Sequence, residues 1–206
     1  MSVSPTSPFP PDMSAALPHD LIWRLRVDQY HAMIRAGILT PDDPVELLEG
    51  WLVYKMPKNP PHRVATRLTQ TALERVVPAN WYVDAQAPIT LEDSEPEPDL
   101  VVVRGTPRLY LDRHPGPAEL ALVIEVADAS LLRDRGAKKR IYARAGIAVY
   151  WLINLPDRRC EVYTDPSGVA GEPDYRQRQD YGPTDAVPLI IDGQQVGAVS
   201  VADLLP

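Results

Sequence analysis

Two apolar runs constrain this chain more than anything else in it. Residues 100–103 read LVVV and residues 120–126 read LALVIEV. Continuous, β-branched runs of this length are what strands covered on both faces show. A carboxylate stands at the mouth of the first run, Asp99, and another inside the second, Glu125. A charged side chain in such a run must be paired, hydrogen-bonded or metal-bound, because burying it alone is costly. Two readings stand for each acid. Asp99 is a functional group or a solvated strand end, and Glu125 is a functional group or an outward position on a half-exposed strand.

The neighbouring segments supply layers for those strands. The pattern predicts a helix at 27–36 stopped by Gly37, a hairpin at 45–56 turning at Glu49-Gly50, and an amphipathic helix at 62–77. The apolar face of that helix is read as Val64, Leu68, Ala72, Leu73 and Val76. Short strands are expected at 81–87 and 89–91, and an irregular loop at 106–118. A helix at 131–145 follows, ended by Gly146, and then strands at 149–155 and 159–163. Weaker strands are expected near 175–181 and 187–191, with an Asp192-Gly193 turn and Ser200 capping a last turn. Helices alternating with strands in this way predict an α/β (α+β) domain, a central mixed sheet with helices on its faces. The Ser/Pro-rich residues 1–20 read as a disordered arm, leaving 21–206 as a single domain.

Composition narrows the class. With 206 residues, 45% apolar and 24% charged, the chain fits one domain with a full core. Its single cysteine, Cys160, excludes an internal disulfide framework and a cysteine zinc cluster, and fits a reducing compartment. There is no long apolar run and no signal-peptide pattern, so a cytoplasmic location is expected. The net charge of -7 argues against a protein that coats nucleic acid by bulk electrostatics. An enzyme acting on nucleic acid needs only local acids and a local basic surface.

Asp99 and Glu125 are hard oxygen donors without a His/Cys cluster, which suits Mg²⁺ or Mn²⁺. Glu46, in VELLEG, is a third acid in an apolar setting, while Glu49 beside Gly50 reads as a turn residue. In the 131–145 helix, Asp134, Lys138 and Tyr142 are four apart and share a face. That spacing describes either a solvated ion pair or a lysine aimed at the acids. The other cations of this helix could meet a phosphate backbone. His62 reads as an exposed helix-start residue rather than a general base, and the four tryptophans as core or dimer contacts. No P-loop, Rossmann glycine fingerprint or nucleophile elbow is present.

These residues carry a resemblance. VELLEGWLV, PKNPPHRVATRL, EPDLVVV, LVIEVADAS, DRGAKKRIYARAGIAVYWLINL and RRCEVY, spanning 45–163, are similar in order and spacing to the Uma family of endonucleases. That family lies within the restriction-endonuclease-like PD-(D/E)XK superfamily. The resemblance implies a restriction-endonuclease-like central mixed sheet flanked by helices, with a divalent metal at its edge. It matches Asp99 to the family's Pro-Asp acid, Glu125 to the second acid and Glu46 to the acid near the domain start. The superfamily lysine two residues after the second acid is Ala127 here. The lysine of the helix motif Asp-Arg-Gly-x-Lys falls on Lys138, with Lys139 beside it. The family's Ser-Pro-Ser after the glutamate strand is Asp128-Ala129-Ser130.

The implied activity is Mg²⁺- or Mn²⁺-dependent hydrolysis of DNA phosphodiester bonds. Asp99, Glu125 and Glu46 would be the metal ligands and Lys138 would orient the water. A homodimer is a plausible assembly. The rival reading is a catalytically inactive nucleic-acid-binding or assembly module on the same fold, motivated by the missing strand lysine and the acidic net charge.

Overall fold

The computed structural model describes residues 22–169 and 171–206, so the expected arm at 1–20 lies outside the described residues. In chain order the elements begin with α1 (Val27–Arg35), the strands β1 (Val45–Leu48) and β2 (Trp51–Tyr54), and α2 (Pro60–Glu74). Three strands follow, β3 (Trp81–Ala85), β4 (Leu100–Arg104) and β5 (Leu120–Ala127). A helical segment then joins α3 (Leu131–Arg133), a π-helical turn (Asp134–Lys138) and α4 (Lys139–Arg144). The chain ends with β6 (Val149–Asn154), β7 (Arg159–Pro166), β8 (Tyr175–Tyr181), β9 (Ala186–Ile191) and β10 (Gln194–Ser200).

The two apolar runs are β4 and β5, at the centre of a six-stranded sheet ordered β3-β4-β5-β6-β7-β8. Only β5 and β6 pair in parallel, and the helical segment is the crossover that such a pair requires. Alternation sorts the side chains of β4. Leu100 and Val102 join a core cluster with α2 and the β9–β10 hairpin. Val101 and Val103 join a second cluster with α4 and the loop around Ile89. Both faces are therefore covered, as the continuous run requires, and the domain is a mixed α+β fold.

The small hairpin β1–β2 turns at Glu49 and Gly50, with φ of 50° and 81°, the left-handed pair that suits the twist of a tight hairpin. Its position is tied down by Leu25, whose N–H donates to the Gly50 carbonyl at 2.9 Å. A Cβ on Gly50 would lie 2.6 Å from the Arg24 Cβ. Gly50→Val is therefore expected to lower stability by about 1–3 kcal/mol, read as a fall in the urea midpoint. An unchanged midpoint would mean that the turn relaxes freely.

Three local expectations are corrected. α2 buries Ala65, Thr69, Ala72 and Leu73, whereas Val64 and Leu68 are 47% and 37% exposed. Small residues let the helix lie close to β5, and a face chosen by side-chain size points the wrong way. Ile89 and Leu91 are buried but 89–91 form no strand, because the Leu91 N–H donates to the Ser94 carbonyl in a turn. Residues 194–200, for which no strand is expected from the sequence, form β10 against β9. Ser200 precedes the final turn without a side-chain cap. Of the tryptophans, Trp81 and Trp151 are core and Trp23 is exposed. Among the described residues no helix is long and apolar enough to cross a membrane.

Candidate active site

Antiparallel pairing of β4 with β5 sets Leu100 opposite Ile124. Asp99, the residue before β4, thereby comes beside Glu125, and the Val126 N–H donates to Asp99 Oδ2 at 2.9 Å. The crossover after β5 brings the helical segment back over the same strand. Lys138 closes its π turn, and the ammonium donates to Glu125 Oε1 and to Glu46 Oε2, both at 3.0 Å. Tyr142, one turn on, donates its hydroxyl to Glu125 Oε1 at 2.6 Å. The π turn is buttressed from below, where the Tyr150 hydroxyl donates to the Asp134 carbonyl at 3.1 Å. π turns recur at functional sites because they re-aim side chains within a helix.

Glu46 arrives from β1. The hairpin is fastened to the loop before β4 by Glu95 N–H on the Leu47 carbonyl at 2.7 Å, and by Glu97 N–H on Glu46 Oε2 at 3.1 Å. The start of α2 closes the remaining side. Asn59 caps the helix through the His62 N–H and holds Asp128 Oδ2 at 2.6 Å. His62 Nε2 lies 3.0 Å from Asp99 Oδ2, and Lys58 Nζ lies 3.7 Å from Asp99 Oδ1. The four residues singled out in the sequence, Asp99, Glu125, Glu46 and Lys138, thus line one cavity of about 50 Å³, room for more than one water molecule.

The hydrogen bonds divide each acid in two. Asp99 Oδ2, Glu125 Oε1 and Glu46 Oε2 accept from protein donors, whereas Asp99 Oδ1, Glu125 Oε2 and Glu46 Oε1 accept no hydrogen bond from the described residues. All three acids and Lys138 are at most 5% exposed. Burial pushes the Glu125 carboxyl up to about 8, against the pull of Lys138 and with further help from the charges of Asp134 and Asp99. Burial also acts to raise Asp99, but the His62 hydrogen bond and charge, the Val126 N–H and Lys58 outweigh it and hold Asp99 below its usual value. Burial alone would lower Lys138, yet Glu125 and Glu46 outweigh it and hold the ammonium charged.

This donor set fits a divalent cation. Mg²⁺ characteristically takes one or two carboxylates and completes its shell with water and phosphate. Asp99 and Glu125, both buried and each with an oxygen that accepts no hydrogen bond from the described residues, have the donor chemistry of such a half-shell. Among the described residues no group of three or more His, Cys, Asp or Glu side chains is placed to hold a metal ion.

The structure corrects other expectations. His62 is 9% exposed and bonded to Asp99, not a solvated helix start. Lys139 faces away from the acids and pairs with Asp174 at 2.7 Å. The remaining helix cations do not offer a free basic face. Arg135 pairs with Glu161, while Arg140 and Arg144 hold Glu49 and Arg144 also Asp93. Glu49 is thus a structural anchor. Of the two readings of the Asp134, Lys138 and Tyr142 face, the solvated ion pair is excluded, since Asp134 is 2% exposed, raised by burial, and lines the cavity. Its Oδ1 and the Arg133 Nε, 3.7 Å apart, are both buried without a hydrogen-bond partner among the described residues. Lys58 and Arg133 were not singled out as site residues. The Lys58 signal was available in Asn59-Pro60, a cap followed by proline, which starts α2 two residues earlier than expected and moves Lys58 and His62 to its mouth.

Comparison with known proteins identifies the family and the fold. A family model described as "Uma2: Putative restriction endonuclease" matches residues 27–197. No curated protein is significantly similar to the chain. Among solved structures, one from Anabaena variabilis, described as "a putative nuclease belonging to DUF820", has the same fold. It superposes with a TM-score of 0.63 at 15% identity, over 87% of this chain and 97% of that one.

Proposed function

The chain belongs to the Uma2 family of restriction-endonuclease-like nucleases, and on that premise we propose that it hydrolyses DNA phosphodiester bonds with a divalent cation, Mg²⁺ or Mn²⁺. Asp99 and Glu125 hold the cation, and Glu46 assists directly or through water. When bound, such a cation supplies Lewis acidity to water and to the phosphoryl oxygen. The protein supplies the rest. His62 and the Val126 N–H fix the Asp99 carboxylate, so that its second oxygen stays turned to the cavity. Tyr142 and Lys138 do the same for Glu125. Lys138, held charged by two acids, is a hydrogen-bond donor rather than a base. It orients the attacking water or stabilises charge growing on the phosphate. Ala127 is fully buried at the position of the usual strand lysine, so β5 offers no cation, and the ammonium groups at this site are Lys138 from the helical segment and Lys58 before α2.

The observation that carries this reading is the shared pattern of the three acids at a common cavity, each with one oxygen hydrogen-bonded by the protein and one that accepts no hydrogen bond from the described residues, with Lys58 3.7 Å from Asp99 Oδ1 and Arg133 4.0 Å from Glu46 Oε1. The test is nicking of supercoiled plasmid with Mg²⁺ or Mn²⁺. Asp99→Asn is expected to lose at least ~10²-fold in rate, the scale of removing one preorganised electrostatic group. Equal rates in wild type and variant would remove the assignment. Calorimetric titration with Mn²⁺ separates the inactive-module reading, which expects no affinity in the wild type.

A further inference from the structure

The cations of this chain are unevenly committed. Those of the helical segment neutralise named acids, as described above. On α2 the position is different. Arg63 and Arg67 form no ion pair among the described residues, and Arg67 makes only a 3.2 Å hydrogen bond to Gln70. Between them Val64 and Leu68 are 47% and 37% exposed, and the four side chains surround one shallow depression. By itself, an exposed arginine pair is an ordinary solvated helix face. Here it sits on the helix whose first turn enters the candidate site through Asn59 and His62, one turn from the acids. In a chain of net charge -7, this leaves two arginines without an acidic partner among the described residues on the helix whose start reaches the cavity.

We propose that the outward face of α2 grips the phosphate backbone of the DNA and leads it to the site. Arg63 and Arg67 each meet a phosphate, and Val64 and Leu68 pack against the sugars between. The proposal rests on the nuclease reading above and names the surface that holds its substrate. Four helical residues span ~6 Å, close to two steps of one strand at ~3.4 Å of axis per phosphate. Backbone contacts of this kind carry no sequence information, so the loss on removing them is uniform across sequences.

The test is binding of unrelated duplexes followed by fluorescence anisotropy in EDTA, where no cleavage occurs, across about 50–200 mM salt. The double variant Arg63→Gln/Arg67→Gln is expected to reduce the salt slope of log K by about 2 and to weaken all duplexes alike. Arg108→Gln, on the turn beyond the far end of β4, is the control and is expected to bind as wild type. The substituted side chains are exposed, so thermal melts of all variants should coincide. An unchanged slope in the double variant overturns the proposal, as does a wild type that binds no duplex. A second copy of the chain is the competing occupant. Sedimentation that shows a dimer lost on Leu68→Asp, with the DNA salt slope intact, also overturns it. Plasmid nicking that persists while the slope is unchanged removes the α2 surface and leaves the nuclease reading standing.

Discussion

Lys138→Met is expected to destabilise the protein by about 3–5 kcal/mol, the cost of breaking a buried ion pair by removing one partner. The ammonium is 2% exposed and serves two carboxylates that are themselves buried, Glu46 and Glu125. Methionine preserves most of the stem volume, so packing changes little and the loss is electrostatic. Glu125, raised to about 8, is largely neutral at pH 7.5 and below, so the main loss is at Glu46, which stays buried without its ammonium. Urea denaturation at pH 7.5 and at pH 5 measures the cost. Lys139→Met is the natural comparison, because its partner Asp174 is half-exposed and surface pairs contribute about 0–1 kcal/mol. A cost below 1 kcal/mol for Lys138→Met at both pH values would show that Lys138 is not the counter-ion of this cluster.

Mn²⁺ affinity is expected to fall about tenfold for each pH unit below 8, thus about 100-fold between pH 8 and pH 6, because ligands must be deprotonated to bind. The sign follows from Glu125. Its carboxyl is raised from an ordinary 4.5 to about 8 in the folded protein. Between those values the folded chain keeps a proton that the unfolded chain has lost. Stability from this group is fully present below about 4.5 and is lost as pH rises through about 8. A cation at Asp99 and Glu125 must displace that proton, so binding releases it and strengthens as the pH approaches 8. Calorimetry in buffers of differing ionisation enthalpy reads the proton count directly. Glu125→Gln, which keeps an acceptor for Tyr142 and Lys138, is expected to bind weakly and without this pH dependence. A pH-independent affinity in the wild type would take Glu125 out of the ligand set.

Much of the frame was legible because it depends on local rules. The run at 100–103 alternates between two apolar clusters and can only be a doubly covered strand. Glu49-Gly50 and Asp192-Gly193 make hairpin turns because their left-handed φ values are accessible to those residues. Gly37 and Gly146, both at positive φ, follow helices where the pattern stopped them. The errors fall where one periodicity serves two faces. In α2 the set Ala65, Thr69, Ala72, Leu73 has the same helical spacing as the set built on Val64 and Leu68, and only the distance to β5 chooses between them. Charges misled in the same way. A basic helix cannot be told from a solvated one until Glu161, Asp174, Glu49 and Asp93 are seen to meet it.

By itself, the sequence showed two acids in strand-like apolar runs with a lysine-bearing helix after them, and left open whether either acid is buried. Burial cost makes such carboxylates exceptional wherever they occur. What it left undecided was whether those groups meet. Glu46 is separated by 92 positions from Lys138, yet their charged atoms are 3.0 Å apart. That contact depends on the register of β4 on β5, on the parallel crossover to β6 and on the docking of a hairpin whose hydrogen bonds run to a distant loop. None of these is encoded at the positions that they bring together. Tertiary packing alone turned His62 and Lys58 towards Asp99 and set the cations of the basic helix against Glu161, Asp174, Glu49 and Asp93.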